Sequence, residues 1–118
     1  MDNLYKEEIL EHYNSPLNFG KIKKFDKHSK QLNPFCGDEI EMFIKFNGSR
    51  VKDISFTGNG CAISIASASI LTEFLKGKSK KELTKFKEKD MLSLLGIEIS
   101  ENRKKCAFLA LSVLKDFL

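Results

Sequence analysis

The stretch Ile40-Glu41-Met42-Phe43-Ile44-Lys45-Phe46-Asn47-Gly48-Ser49-Arg50-Val51-Lys52-Asp53-Ile54-Ser55-Phe56-Thr57 decides the fold. Ile40, Met42, Ile44 and Phe46 recur at every second position, with Glu41, Phe43 and Lys45 between them. That is the period of a strand with one buried face. Asn47-Gly48 follows, and both residue types tolerate the positive φ of a tight type I′ turn. Residues 51–57 form the return strand, with Ile54 and Phe56 on one face. Upstream, residues 25–32 are polar and weakly patterned, which suits an edge strand. Downstream, Gly58-Asn59-Gly60 is expected to break the return strand.

Helices flank this sheet. Residues 2–13 read as a helix capped by Asp2, with Tyr5, Ile9 and Tyr13 on one face and Pro16 beyond its end. Residues 61–76 read as a second helix, its apolar face formed by Ile63, Ala66, Ile70 and Phe74 and broadened by Ile65, Leu71 and Leu75. Gly77 marks its stop. Ser79-Lys80-Lys81-Glu82 fits a capping box opening a short helix with Leu83 and Phe86. Met91, Leu92, Leu94 and Leu95 mark another, ended by Gly96. Ser100 is placed to cap the last helix, where Cys106, Leu109, Val113 and Phe117 share a face. Strands followed by helices predict an α+β fold, with residues 1–118 as a single domain.

Composition narrows the function. With 42% hydrophobic residues and ten Phe in 118 residues, the chain is globular in character. Lys and Arg number 20 against 16 Asp and Glu, a net charge of +4. The lysines do not interleave with stacking aromatics, so a solvated basic surface is expected and no nucleic-acid partner. The first residues are acidic and polar, unlike a signal peptide. No apolar run approaches the ~20 residues of a membrane span. A cytoplasmic chain without a membrane partner is therefore the expectation. Three cysteines argue against a disulfide framework.

Those cysteines carry the candidate chemistry. In Cys36-Gly37-Asp38, a thiol and a carboxylate two positions apart can reach one ion across a tight turn. Taken alone, the triplet also suits an ordinary turn cysteine. Cys61 follows Gly58-Asn59-Gly60 at a helix N-terminus, where free N–H groups favour a thiolate. Cys36 and Cys61 lie 25 positions apart, on opposite sides of one hairpin. A hairpin returns its ends to the same edge, so they are plausible neighbours. Cys106 follows Arg103-Lys104-Lys105, but its place on an apolar stripe suits a core residue equally well. Three thiolates and a carboxylate suffice for tetrahedral zinc or a [2Fe–2S] cluster. The harder oxygen ligand binds iron less firmly and favours release, a property of assembly rather than electron transfer. His12 and His28 lie far from every cysteine in sequence and read as surface or core residues.

The motifs Asn33-Pro34-Phe35-Cys36-Gly37-Asp38, Gly58-Asn59-Gly60-Cys61-Ala62-Ile63-Ser64, Ala66-Ser67-Ala68-Ser69 and Lys105-Cys106-Ala107 resemble the IscU/SufU/NifU N-terminal family of iron–sulfur cluster assembly scaffolds. The resemblance runs from His12-Tyr13 to the C-terminus. It implies a SufE/NifU-like fold, a three-stranded antiparallel sheet with an N-terminal helix and C-terminal helices packed around it. It also implies that Cys36, Asp38, Cys61 and Cys106 are the ligand set for iron or a transient [2Fe–2S] cluster. Cys106 would accept persulfide sulfur. The implied partners are a cysteine desulfurase, an iron or electron source and recipient apo-proteins. Such a protein is a scaffold rather than an enzyme.

Two departures qualify the resemblance. IscU proteins carry histidine before the last cysteine, where this chain has Lys105. They also carry a proline-rich chaperone-recognition segment, where this chain reads Gly96-Ile97-Glu98-Ile99-Ser100-Glu101-Asn102. The second departure argues against a dedicated Hsp70-type chaperone. Lys105 keeps open a SufU-like alternative, a zinc-dependent sulfur acceptor that stimulates a desulfurase. The 44 residues between Cys61 and Cys106 match the shorter IscU length instead.

Overall fold

The structure, a computed structural model, describes residues 3–34 and 37–118, the side chains of residues 3–5 excepted. Helix α1 (Asn3–Asn14) precedes strands β1 (Lys27–Asn33), β2 (Asp38–Asn47) and β3 (Arg50–Asn59). Helices α2 (Ala62–Leu75), α3 (Lys80–Lys85), α4 (Glu88–Leu95) and α5 (Glu101–Lys115) follow. The strands form one antiparallel sheet in the order β1-β2-β3. This is the α+β arrangement read from the sequence.

Alternation gives the sheet its two faces. Ile40, Met42 and Ile44 pair with Gly58, Phe56 and Ile54 of β3, and their side chains enter the core. Lys45 pairs with Asp53 but Phe46 pairs with Val51, so Lys52 is an extra residue in a bulge. The bulge explains why Val51 and Ile54, three apart, are both buried. Helices α2 and α5 pack on this core face, and α1 packs against α2.

Three expectations about the strands need correction. Asn47 pairs with Arg50, leaving Gly48-Ser49 as the two-residue turn. Among the described residues only Gly48 there has positive φ, at 63°. A glycine in the first central position is the II′ pattern, not the I′ turn expected at Asn47-Gly48. Gly58 and Asn59 also continue β3 rather than breaking it, and the strand stops only before Gly60. The small glycine lets the ladder continue where Gly58 crosses Ile40. The edge strand begins two residues later than expected, because Asp26 spends its carboxylate on the Phe46 N–H (2.7 Å).

The outer edge of β3 is partnered near both ends. The Phe56 N–H donates to the Asn18 carbonyl and the Gly20 N–H donates to the Phe56 carbonyl. The Val51 N–H donates to the Lys78 carbonyl, and the Gly77 N–H to the Val51 carbonyl.

Helix α2 departs from the expected stripe. Ser64, Ile65, Ala68, Leu71, Thr72 and Leu75 are buried, while Phe74 is 37% exposed and packs against Phe86. The helix is covered by the sheet, α5 and α1, so small hydroxyl residues are buried beside the apolar ones. Ser69 accepts the Leu17 N–H and bonds His12 Nδ1, and Thr72 donates to the Ala68 carbonyl. An apolar count alone cannot see such satisfied hydroxyls. In α1, Ile9 is buried, but Tyr13 is exposed rather than sharing its face. The expected Asp2 cap lies outside the described residues.

The short helices follow their signals. Ser79 and Glu82 form the expected capping box. Hydrogen bonds from Ser79 hold the Glu82 carboxyl below its usual range. Gly96 ends α4. Lys115 reaches back from α5 to donate to the Leu83 and Phe86 carbonyls at the end of α3. Burial pushes its ammonium below the usual lysine range. Ser100 occupies the N-cap of α5 as expected, yet its hydroxyl makes no capping bond. Cys106, Leu109, Val113 and Phe117 are all buried, as their spacing predicts.

Candidate metal centre

Three chain segments meet at one end of the sheet. Asp38 opens β2 opposite Asn33, and the Gly37 N–H donates to the Asn33 carbonyl across the intervening turn. Gly37 is left-handed (φ 74°), which a residue without Cβ adopts without strain. Cys61 is the N-cap of α2. Cys106 lies in the second turn of α5, with 5% of its surface exposed. Ligand atoms of Asp38, Cys61 and Cys106 all lie within 4.8 Å of one another. Cys36 lies outside the described residues. Its neighbour Gly37 lines the same cavity of about 540 Å³, together with Asn33, Asp38, Gly60, Cys61, Asn102, Arg103, Lys105 and Cys106.

The carboxylate is held from two sides. Asp38 is 3% exposed. Its Oδ1 accepts the Cys61 N–H at 3.2 Å, and its Oδ2 accepts the Ser64 hydroxyl at 2.5 Å. Donors to both oxygens offset part of the cost of burying a charge. The Ser64 oxygen also lies 3.6 Å from Cys61 Sγ. Arg103 and Lys105 place positive charge on the wall, which favours any anionic cargo.

Gly60 explains how the backbone comes so close. A Cβ built on it would lie 2.9 Å from the Asp38 Cγ and Oδ1. Gly60→Ala should therefore push the carboxylate aside. Zinc affinity is expected to fall roughly tenfold, the size of effect that follows when a ligand's supporting contacts are lost. A chelator-competition titration reads the loss, and an unchanged affinity would mean that the Asp38 position does not matter to binding.

Of the sequence-predicted site residues, Asp38, Cys61 and Cys106 come together, and the expected Cys36–Cys61 pairing lies outside the described residues. The histidines do not join them: His12 bonds Ser69, and His28 stacks on Phe43 beside Glu41. Ser64 was missed as a site residue. Its signal was its spacing, three positions after Cys61 on the same side of a helical turn.

Comparison with known proteins places this architecture. Residues 4–117 match the NifU-like N terminal domain family. The chain belongs to that family. It is 34% identical over 112 residues to "Iron-sulfur cluster assembly scaffold protein IscU 1" of Archaeoglobus fulgidus, covering 95% of this chain and 72% of the relative. It is 43% identical over 79 residues to "Zinc-dependent sulfurtransferase SufU" of Bacillus subtilis, covering 66% of this chain and 52% of the relative. Among solved structures, a candidate iron–sulfur cluster assembly scaffold for the SUF system of Fervidobacterium islandicum superposes with a TM-score of 0.76 at 31% identity, covering 93% of each chain. In this NifU-like chain the described Asp-Cys-Cys group could hold a metal ion. No described helix is long and apolar enough to cross a membrane.

Proposed function

We propose that residues 1–118 act as a single-domain iron–sulfur cluster assembly scaffold, with Cys36, Asp38, Cys61 and Cys106 as its ligands. The observation that carries this reading is a buried carboxylate, fixed by two hydrogen bonds, within 4.8 Å of two cysteine sulfurs. Sulfur suits iron and zinc, while the carboxylate oxygen is the harder and weaker partner for a cluster. Cys36, next to Gly37 in sequence, supplies the fourth ligand. The [2Fe–2S] cluster is cargo: sulfur arrives as persulfide from a cysteine desulfurase, Cys106 is its acceptor as the desulfurase cysteine leaves as thiol, and an electron donor together with ferrous iron reduces that sulfur to sulfide. The assembled cluster passes to recipient apo-proteins. Arg103 and Lys105 draw anionic sulfur species toward the mouth.

A second reading has its own support. The 43% identity to a zinc-dependent sulfurtransferase and the lysine at 105 favour zinc held by the same four ligands, with the protein accepting sulfur. Anaerobic incubation of the full chain with a desulfurase, cysteine and ferrous iron separates the two. Cluster absorbance that moves to an apo-ferredoxin is the expected result. Tight zinc without cluster, together with faster cysteine turnover, would establish the sulfurtransferase instead. Neither metal nor cluster uptake would overturn both.

A further inference from the structure

The Ser64 side chain is fully buried among three groups of the candidate site. Its oxygen lies 2.5 Å from Asp38 Oδ2, 3.6 Å from Cys61 Sγ and 3.4 Å from the Cys106 carbonyl oxygen. A hydroxyl has one proton to donate, and the short contact to an anionic oxygen takes it. The carboxylate's other oxygen is tied to the Cys61 N–H. With these donors on its two oxygens, the group cannot turn about Cβ–Cγ without losing a bond.

We infer that Ser64 is a positioning residue of the metal site, holding the Asp38 carboxylate where one oxygen stays within reach of the Cys61 and Cys106 sulfurs. The inference rests on the ligand reading proposed above. Ser64 acts through Asp38 and does not itself bind the metal. Its bond locks the carboxylate before any ion arrives, so binding does not have to order it. An outer hydrogen-bond partner of this kind typically contributes about 10–100-fold to metal affinity.

The test uses cobalt(II) as the probe, titrated into the full chain, with Ser64→Ala, Asp38→Ala and the double variant. Alanine is small and favours helix, so Ser64→Ala should fold, and a thermal melt checks it. The affinity of Ser64→Ala is expected to fall about tenfold. Adding Ser64→Ala to Asp38→Ala should cost nothing further, because the group through which it acts is already gone. Additive losses would overturn the inference, since a merely structural serine weakens the site whether or not Asp38 is present. Ser67→Ala serves as the control. Ser67 is buried on the same helix and its hydroxyl has no hydrogen-bond partner among the described residues. Its affinity should match the parent.

A second readout needs no metal. The Cys61 amide proton bonds the same carboxylate, so its NMR shift should move in metal-free Ser64→Ala. An unmoved resonance would mean that Ser64 does not hold Asp38. If the parent chain bound no cobalt, or bound it equally well after Cys61→Ser, the ligand reading would fall. The amide shift would still judge the hold of Ser64 on Asp38.

Discussion

Cys61→Ser is expected to abolish the binding of zinc added as a probe of the proposed ligand set, while leaving the metal-free fold as stable as before, or more so. The two effects have separate causes at one residue. Cys61 is the N-cap of α2, and its side chain makes no capping bond. Serine is among the preferred N-cap residues, and its hydroxyl can accept an N–H of the first turn. That cap contributes about 0.5–2 kcal/mol when formed. Serine cannot supply a thiolate, however, and losing a direct ligand should cost more than the roughly 100-fold upper range for an outer partner. Chelator-competition titrations and thermal melts in EDTA measure the two effects independently. Unchanged zinc affinity would remove Cys61 from the ligand set. A lower melting temperature in EDTA would show that the sulfur itself packs the helix start. Helix α2 therefore carries a weaker cap than its sequence position allows, which is the expected signature of a residue kept for binding.

The second large effect is expected from Gly58→Ala. A Cβ at Gly58 would lie 2.2 Å from the Glu39 carbonyl oxygen and 3.0 Å from Ile40 Cδ1. The first of these is backbone in the central strand and cannot swing away. The strands must part or shear, at a cost of about 3 kcal/mol, the upper part of the range for overpacking. For a chain of this size that lowers the melting temperature by on the order of 10 °C. Gly48→Ala provides the contrast. A Cβ there meets nothing within 4 Å, so only the left-handed backbone at φ 63° is penalised. That strain costs about 1–2 kcal/mol. Similar losses for both variants would mean that the strand crossing at Gly58 relaxes. Gly58 also sits two residues before the glycine that faces Asp38. A shear here should displace Cys61 from the carboxylate and weaken zinc binding along with stability.

The sequence was most legible where one physical rule acted alone. The period of two in β2 was clear because Ile40, Met42 and Ile44 face a core and Glu41 and Lys45 do not. The capping box at Ser79 and the stop at Gly96 are local chemistry, and both stand as read. Legibility failed where tertiary context decided. In α2, Ile65, Ala66, Leu71 and Leu75 are buried as the stripe predicts, but Phe74 is exposed, and Ser69 and Thr72 are buried with partners from α1 and the following loop that an apolar count does not see. At Ser100 the position of a cap was right but its hydrogen bond was not formed. For the candidate site, the hairpin argument concerned Cys36 and Cys61, and Cys36 lies outside the described residues; Asp38, two positions on, does lie beside Cys61. Cys106 is buried in α5, as its core reading predicts, and its sulfur also lies within 4.8 Å of the ligand atoms of Asp38 and Cys61. Ser64 carried only the local signal of its spacing from Cys61, because its bonding partner Asp38 is 26 positions away and no local rule links the two.

The partnered edge of β3 has a consequence for self-association. Growth of a fibril by strand addition requires each molecule to offer two accessible edges, one to receive a neighbour and one to template the next. Here the β3 edge is already bonded by Asn18, Gly20, Gly77 and Lys78, and the sheet ends in β1 on the other side. An encounter between two copies through β1 therefore consumes both available edges. Such a pairing stops at two molecules, and no third copy finds a strand on which to build.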